Sequence, residues 1–175
     1  MKKIIGILSL VIAMICSNNA YAELPEISEP TFERGDLIGS LTVGYGWGFS
    51  QRLAVEYGVA GGWIDDRASL GVGAALGNSF TSYYGNLWDQ LYVDAICSFH
   101  FQFIDRLDTY VQLGLGFGYS FWSNYYYNDN GYAFFDFTGS VGARYYFNSA
   151  FAVNAEVGYT AGSYFMAGIT YKFES

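Results

Sequence analysis

Seven ionisable side chains are placed so that they could act together in acid–base or ion-pair chemistry. All seven stand at even-numbered positions within segments of alternating polarity, namely Glu56, Asp94, His100, Asp136, Arg144, Glu156 and Lys172. Charged groups removed from water need partners. Such a set can therefore form buried ion pairs or line an ion path.

His100 is the only histidine of the chain and the first residue to consider for catalysis. As a general base it would need a nucleophile or a carboxylate nearby, and as a metal ligand it would need companions. The sequence contains no Gly-rich phosphate loop, no cysteine cluster and no Ca²⁺-binding loop. We therefore expect no enzyme activity, no catalytic residue, no cofactor and no metal site.

The elements that position these groups are predicted to be β-strands, because apolar side chains recur with a period of two. Between Leu91 and Phe103 every odd position is apolar, whereas the even positions include Asp94 and His100. Successive side chains of a strand point to opposite faces, so each such segment has one apolar face. Eight segments share the pattern: 41–49, 53–59, 70–76, 91–103, 111–121, 135–147, 151–159 and 165–173.

The composition of the two faces indicates which one points inward. The polar face is rich in Gly, Ser and Thr and poor in the charged residues that cover a water-exposed surface. The apolar face is too bulky for the lumen of a small barrel. A barrel whose apolar face contacts lipid and whose small or polar side chains line the lumen agrees with both observations. The predicted fold is an all-β, eight-stranded antiparallel transmembrane β-barrel, with a soluble exported sandwich or barrel as the alternative.

The lengths of the links predict the orientation of the barrel. Tight turns are expected at 64–67, 104–107 and 148–149, and longer links at 77–87 and 122–131. This alternation is typical of barrels with short periplasmic turns and longer outer loops. The first and last outer links are expected to be short, near 50–52 and 161–163.

We expect side chains to fill the lumen, with an ion path as the alternative. Arg144 and Glu156 lie within about one diagonal step of each other across the turn at 148–149, so an ion pair is predicted between them. Lys172 lies on the neighbouring strand. Glycines of the first, third and fifth strands are expected to make room for Tyr92, Tyr110 and Tyr146.

The first 22 residues have the features of a secretory signal peptide. Lys2 and Lys3 precede the apolar run 4–15, which is too short to span a membrane as a helix. Ala20-Tyr21-Ala22 fits the small-x-small cleavage pattern. We expect cleavage after Ala22 and a location in the bacterial outer membrane.

The rest of the chain is expected to comprise an acidic extended periplasmic segment, 23–36, and the barrel domain, 37–175. A plug in the lumen is the alternative for the first segment. Cleavage leaves Cys97 as the only cysteine, so no intrachain disulfide is expected. Loss of Lys2 and Lys3 takes the formal charge from −8 to −10, which argues against a nucleic-acid partner. The expected partners are outer-membrane lipid and the export and barrel-assembly machinery, and the protein is expected to be a monomer.

Two outer loops are rich in Tyr, Ser, Asn and Gly, a composition that recurs in binding surfaces because Tyr offers contact area at low entropic cost. The candidate contact residues are Tyr83, Tyr84, Tyr125, Tyr126 and Tyr127. The alternative is that these side chains only extend an aromatic girdle at the membrane surface. The sequence does not identify an extracellular partner.

The closing strand, Gly168-Ile169-Thr170-Tyr171-Lys172-Phe173, resembles the C-terminal signature of outer-membrane barrels, a Gly followed by aromatic residues two apart. Glu174 and Ser175 follow the usual terminal Phe, which is a departure from that signature. Together with 142–147 and 156–159, this strand is similar to the small outer-membrane β-barrel (porin-like) domain family, over 37–173. The resemblance implies the barrel fold and an outer-membrane location, and no particular activity.

The patterns of three outer-membrane enzyme classes are not found in this chain. Lipid A deacylases have a His-x-Ser motif, whereas His100 is followed by Phe101 and Gln102. Lipid A palmitoyltransferases begin with an amphipathic helix, which the proline-containing segment 23–36 does not resemble, and outer-membrane proteases have more strands. The leading hypothesis is a structural or surface-contact barrel. The alternatives are a narrow pore for ions or small solutes and, third, a lipid-modifying enzyme.

Overall fold

Eight antiparallel strands close into a barrel in the computed structural model, which describes residues 24–83, 86–123 and 131–173. They are β1 (Leu37–Gly46), β2 (Phe49–Trp63), β3 (Ala68–Tyr83), β4 (Asn86–Ile104), β5 (Leu107–Ser123), β6 (Tyr132–Tyr146), β7 (Phe151–Thr160) and β8 (Ser163–Phe173). Each strand pairs with its neighbours in sequence, and β8 pairs with β1 to complete the ring. The predicted all-β, eight-stranded antiparallel fold is confirmed. The predicted signal peptide, 1–22, lies outside the described residues.

The two faces of the sheet are divided as the alternation predicts. In β2 the side chains of Leu53, Val55 and Tyr57 are exposed, whereas Ala54 and Glu56 are buried. Because most large apolar side chains point out of the ring, the lumen receives mainly small and polar ones, together with a few large ones such as Ile38, Ile96 and Met166. The core of this protein is therefore a polar lumen enclosed by an apolar exterior.

The exterior of the ring is apolar along every strand. In the middle of β5, Leu113, Leu115 and Phe117 are each more than half exposed. Exposing apolar surface to water costs about 25 cal/mol per Å², so this exterior suits lipid far better than water. No helix within the described ranges is long and apolar enough to cross a membrane.

Four links agree with the predicted positions. The short turns at 64–67, 105–106 and 147–150 lie at one end of the barrel, which is referred to below as the turn end. The link 161–162 joins β7 to β8 at the opposite end, the loop end. The tight turns expected from the sequence are therefore all at the same end of the ring.

The predicted outer loop at 77–87 is wrong. β3 continues to Tyr83 and β4 begins at Asn86, and the two strands stay in register from Gly77, which pairs with Tyr92, to Tyr83, which pairs with Asn86. The polar residues of this stretch end the apolar alternation but not the backbone ladder, because pairing depends on the amides rather than on apolar side chains. The β3–β4 hairpin is thus longer than predicted.

The expected outer link near 50–52 is also wrong. Trp47 and Gly48 form the link between β1 and β2. Ser50 and Arg52 lie within β2 and are buried. Because β2 starts earlier than predicted, it carries the positive charge of Arg52 into the lumen rather than into a loop.

Replacing Leu113 with Arg should lower the free energy of unfolding in phospholipid vesicles by about 2–4 kcal/mol, because a charge would face the middle of the hydrocarbon layer. Leu113 lies midway along β5 and is 55% exposed. Leu87→Arg, at the end of β4, is the matched control and should cost only about 0–1 kcal/mol. Urea unfolding followed by tryptophan fluorescence measures both variants. Equal losses would contradict a lipid-facing exterior.

Candidate functional site in the barrel lumen

Four charged side chains from four strands form a closed ring in the lumen near the turn end. Arg144 of β6 donates to Glu56 Oε2 of β2 at 3.0 Å and to Asp108 Oδ2 of β5 at 3.2 Å. His100 of β4 lies between the same two carboxylates, with Nε2 2.9 Å from Glu56 Oε1 and Nδ1 2.9 Å from Asp108 Oδ1. All four side chains are buried. Positive and negative groups alternate around this ring, which is referred to below as the ion cluster.

The strand register places these groups together. Asp108 is directly opposite Arg144 in the pairing of β5 with β6, and both point into the lumen. A Cβ atom at Gly71 of β3 would overlap the Glu56 carboxylate. The glycine therefore leaves the space that the carboxylate occupies.

His100 faces a carboxylate at each ring nitrogen. A neutral imidazole has one N–H and one acceptor nitrogen, so only the doubly protonated ring donates to both carboxylates. With His100 as a cation, the ion cluster contains two positive and two negative groups and has no net charge. A ring in this state has no nitrogen free to accept a proton, so the geometry does not provide a general base.

A second polar layer lies next to the ion cluster on the side of the loop end. Arg52 donates to Gln112 Oε1 at 2.5 Å, and its Nη1 lies 3.6 Å from Glu156 Oε2. Tyr110 donates its hydroxyl to Glu156 Oε1 at 2.8 Å. The Arg144 guanidinium carbon lies 4.1 Å from the centroid of the Tyr110 ring, a cation–π contact. This contact joins the second layer to the ion cluster.

Residues 24–36 fold across the turn end and form a cap. Phe32 is buried, and its ring centroid lies 4.2 Å from that of His100. Ser69 of β3 donates its hydroxyl to the Phe32 carbonyl at 2.9 Å. The described part of this segment, 24–36, therefore packs against the barrel. Phe32 covers the ion cluster at the turn end.

Backbone contacts and an ion pair hold the cap in place. Gly35 N donates to Gly58 O and Gly58 N donates to Asp36 O, both at 2.9 Å. A Cβ atom at Gly58 would overlap the carbonyl of Glu33, so this position requires glycine for close approach. Lys172 of β8 pairs with Asp36 at 2.7 Å. The cap thus contacts strands from both ends of the barrel sequence.

The predicted ion pair between Arg144 and Glu156 is wrong. Arg144 pairs with Glu56 and Asp108, and Glu156 pairs with Arg52. Arg144 is held by two carboxylates of the ion cluster, which turn its guanidinium toward the turn end. Glu156 pairs instead with Arg52, a residue that the sequence pattern predicts to lie in a link.

The other members of the predicted lumen set lie apart from the ion cluster. Lys172 stands at the rim of the turn end, where it is partly exposed and paired with Asp36. Asp94 and Asp136 lie in the loop-end half of the lumen, where each is buried. Each has one carboxylate oxygen with no hydrogen-bond partner among the described residues. The seven residues therefore do not form one network.

Sequence reasoning missed three side chains that complete the site. Asp108 has the even-numbered parity of Tyr110, and extending the alternation by one step would have identified it. Arg52 likewise has the parity of Glu56, but the sequence pattern predicts a link at its position. Phe32 is harder to identify from the sequence, where it stands out only as the single aromatic residue of 23–36. An isolated aromatic residue in a polar segment is consistent with a side chain that packs elsewhere.

Glycine makes room in the lumen, though not as predicted. Tyr110 packs over Gly142 of β6, where a Cβ atom would overlap the phenol ring. In β3, Gly71 accommodates the Glu56 carboxylate rather than a tyrosine. The expectation of a side-chain-filled interior agrees with this half of the lumen, but the pairs of glycine and side chain differ.

Most of the candidate contact loops lies outside the described residues. This applies to Tyr84, Tyr125, Tyr126 and Tyr127. Tyr83 ends β3, and its side chain is likewise not described. Across the described ranges no group of three or more His, Cys, Asp or Glu side chains could hold a metal ion.

Replacing Arg144 with Gln should lower the free energy of unfolding by about 3–5 kcal/mol, because two buried carboxylates would lose their shared partner. Arg34→Gln is the control, since Arg34 is exposed in the cap, and it should change stability by no more than about 0.5 kcal/mol. A double-mutant cycle with Glu56→Gln should give a coupling energy of about 0.5–3 kcal/mol. A coupling energy of zero would show that Arg144 and Glu56 do not interact.

Replacing Phe32 with Ala should lower the free energy of unfolding by up to about 3–5 kcal/mol, because a buried ring is lost from above His100. Hydrogen exchange at the amides of Gly35 and Gly58 should accelerate, since the cap would open more often. Leu24→Ala is the control, because Leu24 is 42% exposed. If both variants lose the same stability and exchange at the same rate, Phe32 does not anchor the cap.

No family model matches the sequence, and no curated protein matches it. Among solved structures, Ail, the attachment invasion locus protein of Yersinia pestis, is 14% identical, with 79% of this chain and 94% of Ail covered and a TM-score of 0.50. The N-terminal β-barrel domain of Pseudomonas aeruginosa OprF is 18% identical, with 81% and 100% covered and a TM-score of 0.49. The outer membrane enzyme PagL is 15% identical, with 79% and 99% covered and a TM-score of 0.46. At these identities the likeness concerns the fold alone, and on the likeness to Ail this chain has the fold of a small outer-membrane β-barrel.

Proposed function

We propose that the protein is an integral β-barrel of a bacterial outer membrane with a structural or surface-contact role. The observation that carries this proposal is a closed ring that is apolar outside and contains paired charges in the turn-end half of its lumen. The fold likeness to Ail supports it, as does the expected signal peptide. The proposal includes cleavage after Ala22, passage through the export and barrel-assembly machinery, and a monomer surrounded by lipid.

The contents of the lumen support a barrel that does not conduct. A solute entering from the turn end would meet Phe32, then the ion cluster, then the contact of Arg52 with Gln112. Separating one partner of a buried ion pair costs about 3–5 kcal/mol, and a conducting path would require several such separations. The turn-end half of the lumen serves as a core rather than as a channel.

The geometry around His100 supports a role without catalysis. Both ring nitrogens are bound to carboxylates, and the ring is covered by Phe32. Ser98, a hydroxyl on the same strand, accepts a hydrogen bond from Gln112 at 3.0 Å rather than contacting the imidazole. These groups are buried, so neither is open to a lipid or water substrate.

Aromatic rings near the loop end support surface contact, and of these Trp47, Trp122 and Tyr164 are exposed whereas Trp88 is half-buried. The Trp88 and Trp122 rings are 5.7 Å apart, and those of Trp47 and Tyr164 are 6.4 Å apart. Tryptophan and tyrosine suit the boundary between lipid and water because an apolar ring has a polar edge. They also supply much of the energy of protein contacts. The proposed contact surface comprises these rings and the tyrosine-rich loop residues named above.

Cell fractionation and planar-bilayer recording test the proposal. The protein should be found in the outer membrane and should change its gel mobility on boiling. Refolded protein should give no reproducible channel steps under conditions in which a water-filled porin conducts. A soluble protein without a heat-dependent mobility shift would contradict the membrane location. Reproducible channels would favour the narrow pore, and altered lipid A in producing cells would favour an enzyme.

A further inference from the structure

The loop-end half of the lumen contains two carboxylates that the paired layers do not neutralise. Asp94 of β4 and Asp136 of β6 are each 3% exposed. Asp94 Oδ1 and Asp136 Oδ2 are buried and have no hydrogen-bond partner among the described residues. A buried carboxylate without a partner is costly, so this pair requires a partner that the described side chains do not supply.

The two carboxylates are placed on either side of one glycine. Gly116 of β5 is directly opposite Asp94 in one pairing and directly opposite Asp136 in the other. The two aspartates are therefore two strand spacings apart, or about 10 Å between backbones. Asp94 Oδ1 lies over Gly116, where a Cβ atom would overlap it. This carboxylate therefore reaches over the strand that separates it from Asp136.

The same arrangement, a glycine of β5 between a side chain of β4 and one of β6, recurs next to the two aspartates on the side of the loop end. Gly118 of β5 lies between Tyr92 of β4 and Phe134 of β6, one inward-facing position farther along each strand. The Tyr92 and Phe134 rings meet edge to face, with centroids 5.8 Å apart. The Tyr92 side chain is buried and donates its hydroxyl to Gln90 at 2.7 Å. The two rings thus lie next to the two carboxylates on the side of the loop end.

The surrounding charges favour a cation at this position. Residues 68–105 and 107–143 contain no Lys or Arg, so β3, β4 and β5 carry none and β6 carries only Arg144. Arg52, on β2, is bound to Gln112 and Glu156. A lumen lined by charges of one sign concentrates counter-ions. Among the described residues, neither aspartate forms an ion pair with a basic side chain.

We infer that Asp94 and Asp136 bind a divalent hard cation, Ca²⁺ or Mg²⁺, between them in the loop-end half of the lumen. The donors are carboxylate oxygens, which these ions prefer, and two positive charges neutralise the pair. Only two protein side chains provide charge, and water supplies the remaining ligands. The affinity should therefore be in the weak range, with a dissociation constant of about 0.1–1 mM.

Calorimetric titration of the full refolded barrel with CaCl₂ and with MgCl₂, at constant ionic strength, tests this site. Wild-type protein should show saturable binding of one ion. Asp94→Asn and Asp136→Asn should each weaken binding by at least about tenfold, since each removes half of the neutralising charge. Asp89→Asn is the matched control, because Asp89 lies on the same strand and bonds to Asn78 instead, and it should bind as wild type does.

Three results would overturn the inference. The first is the absence of saturable binding up to about 10 mM, well above the weak range for Ca²⁺ sites. The second is an equal response to NaCl or to an organic ammonium salt, which would indicate general screening. The third is full binding by the asparagine variants, which would place the ion elsewhere.

Terbium luminescence keeps the test informative if an asparagine variant does not fold. Tb³⁺ replaces Ca²⁺ and emits when it is excited through a neighbouring tyrosine. Tyr92 is adjacent to the proposed site, so Tyr92→Phe should reduce the sensitised emission while leaving the affinity unchanged. Emission that Ca²⁺ does not compete away, or that Tyr92→Phe does not reduce, would contradict the location.

Discussion

The width of an eight-stranded ring is the constraint on which the rest of this structure depends. Such a ring leaves an interior that side chains only just fill. Because the apolar face points outward, polar groups must fill that interior and find their partners there rather than in water. The ion cluster of Glu56, His100, Asp108 and Arg144 meets this requirement by alternating its charges, so that each group has two oppositely charged neighbours.

The two halves of the lumen differ in whether their carboxylates are paired with basic side chains. The distribution of those basic residues along the barrel explains the difference. Arg67, Arg144 and Lys172 lie at or near the turn end, and Arg52 lies between the halves. The turn-end half can therefore pair its carboxylates with cations and close with an aromatic cap. The loop-end half has small residues and aromatic rings around its carboxylates instead. One barrel thus combines a well-packed charged core with a less balanced loop-end half.

Much of the fold could be predicted from the sequence, because an alternation with a period of two reports directly which side chains share a face. The same rule places Glu56 and His100 in the lumen correctly. This rule does not identify which side chains pair with each other across the lumen. Those contacts depend on strand register and tilt, which the pattern along a single strand does not contain. Arg52 was missed because short polar stretches resemble loops, and the packing of Phe32 depends on a surface that exists only once the ring has formed.

The cap also imposes an order on assembly. Residues 24–36 precede the first strand, yet they contact Gly58 of β2, Ser69 of β3 and Lys172 of the last strand. Their complete binding surface does not exist until β8 has paired with β1, so the cap reaches its full set of contacts only in the closed ring. A barrel that stalls before β8 pairs with β1 would lack the ion pair of Asp36 with Lys172 and would hold the cap only through β2, β3 and the other strands already in place.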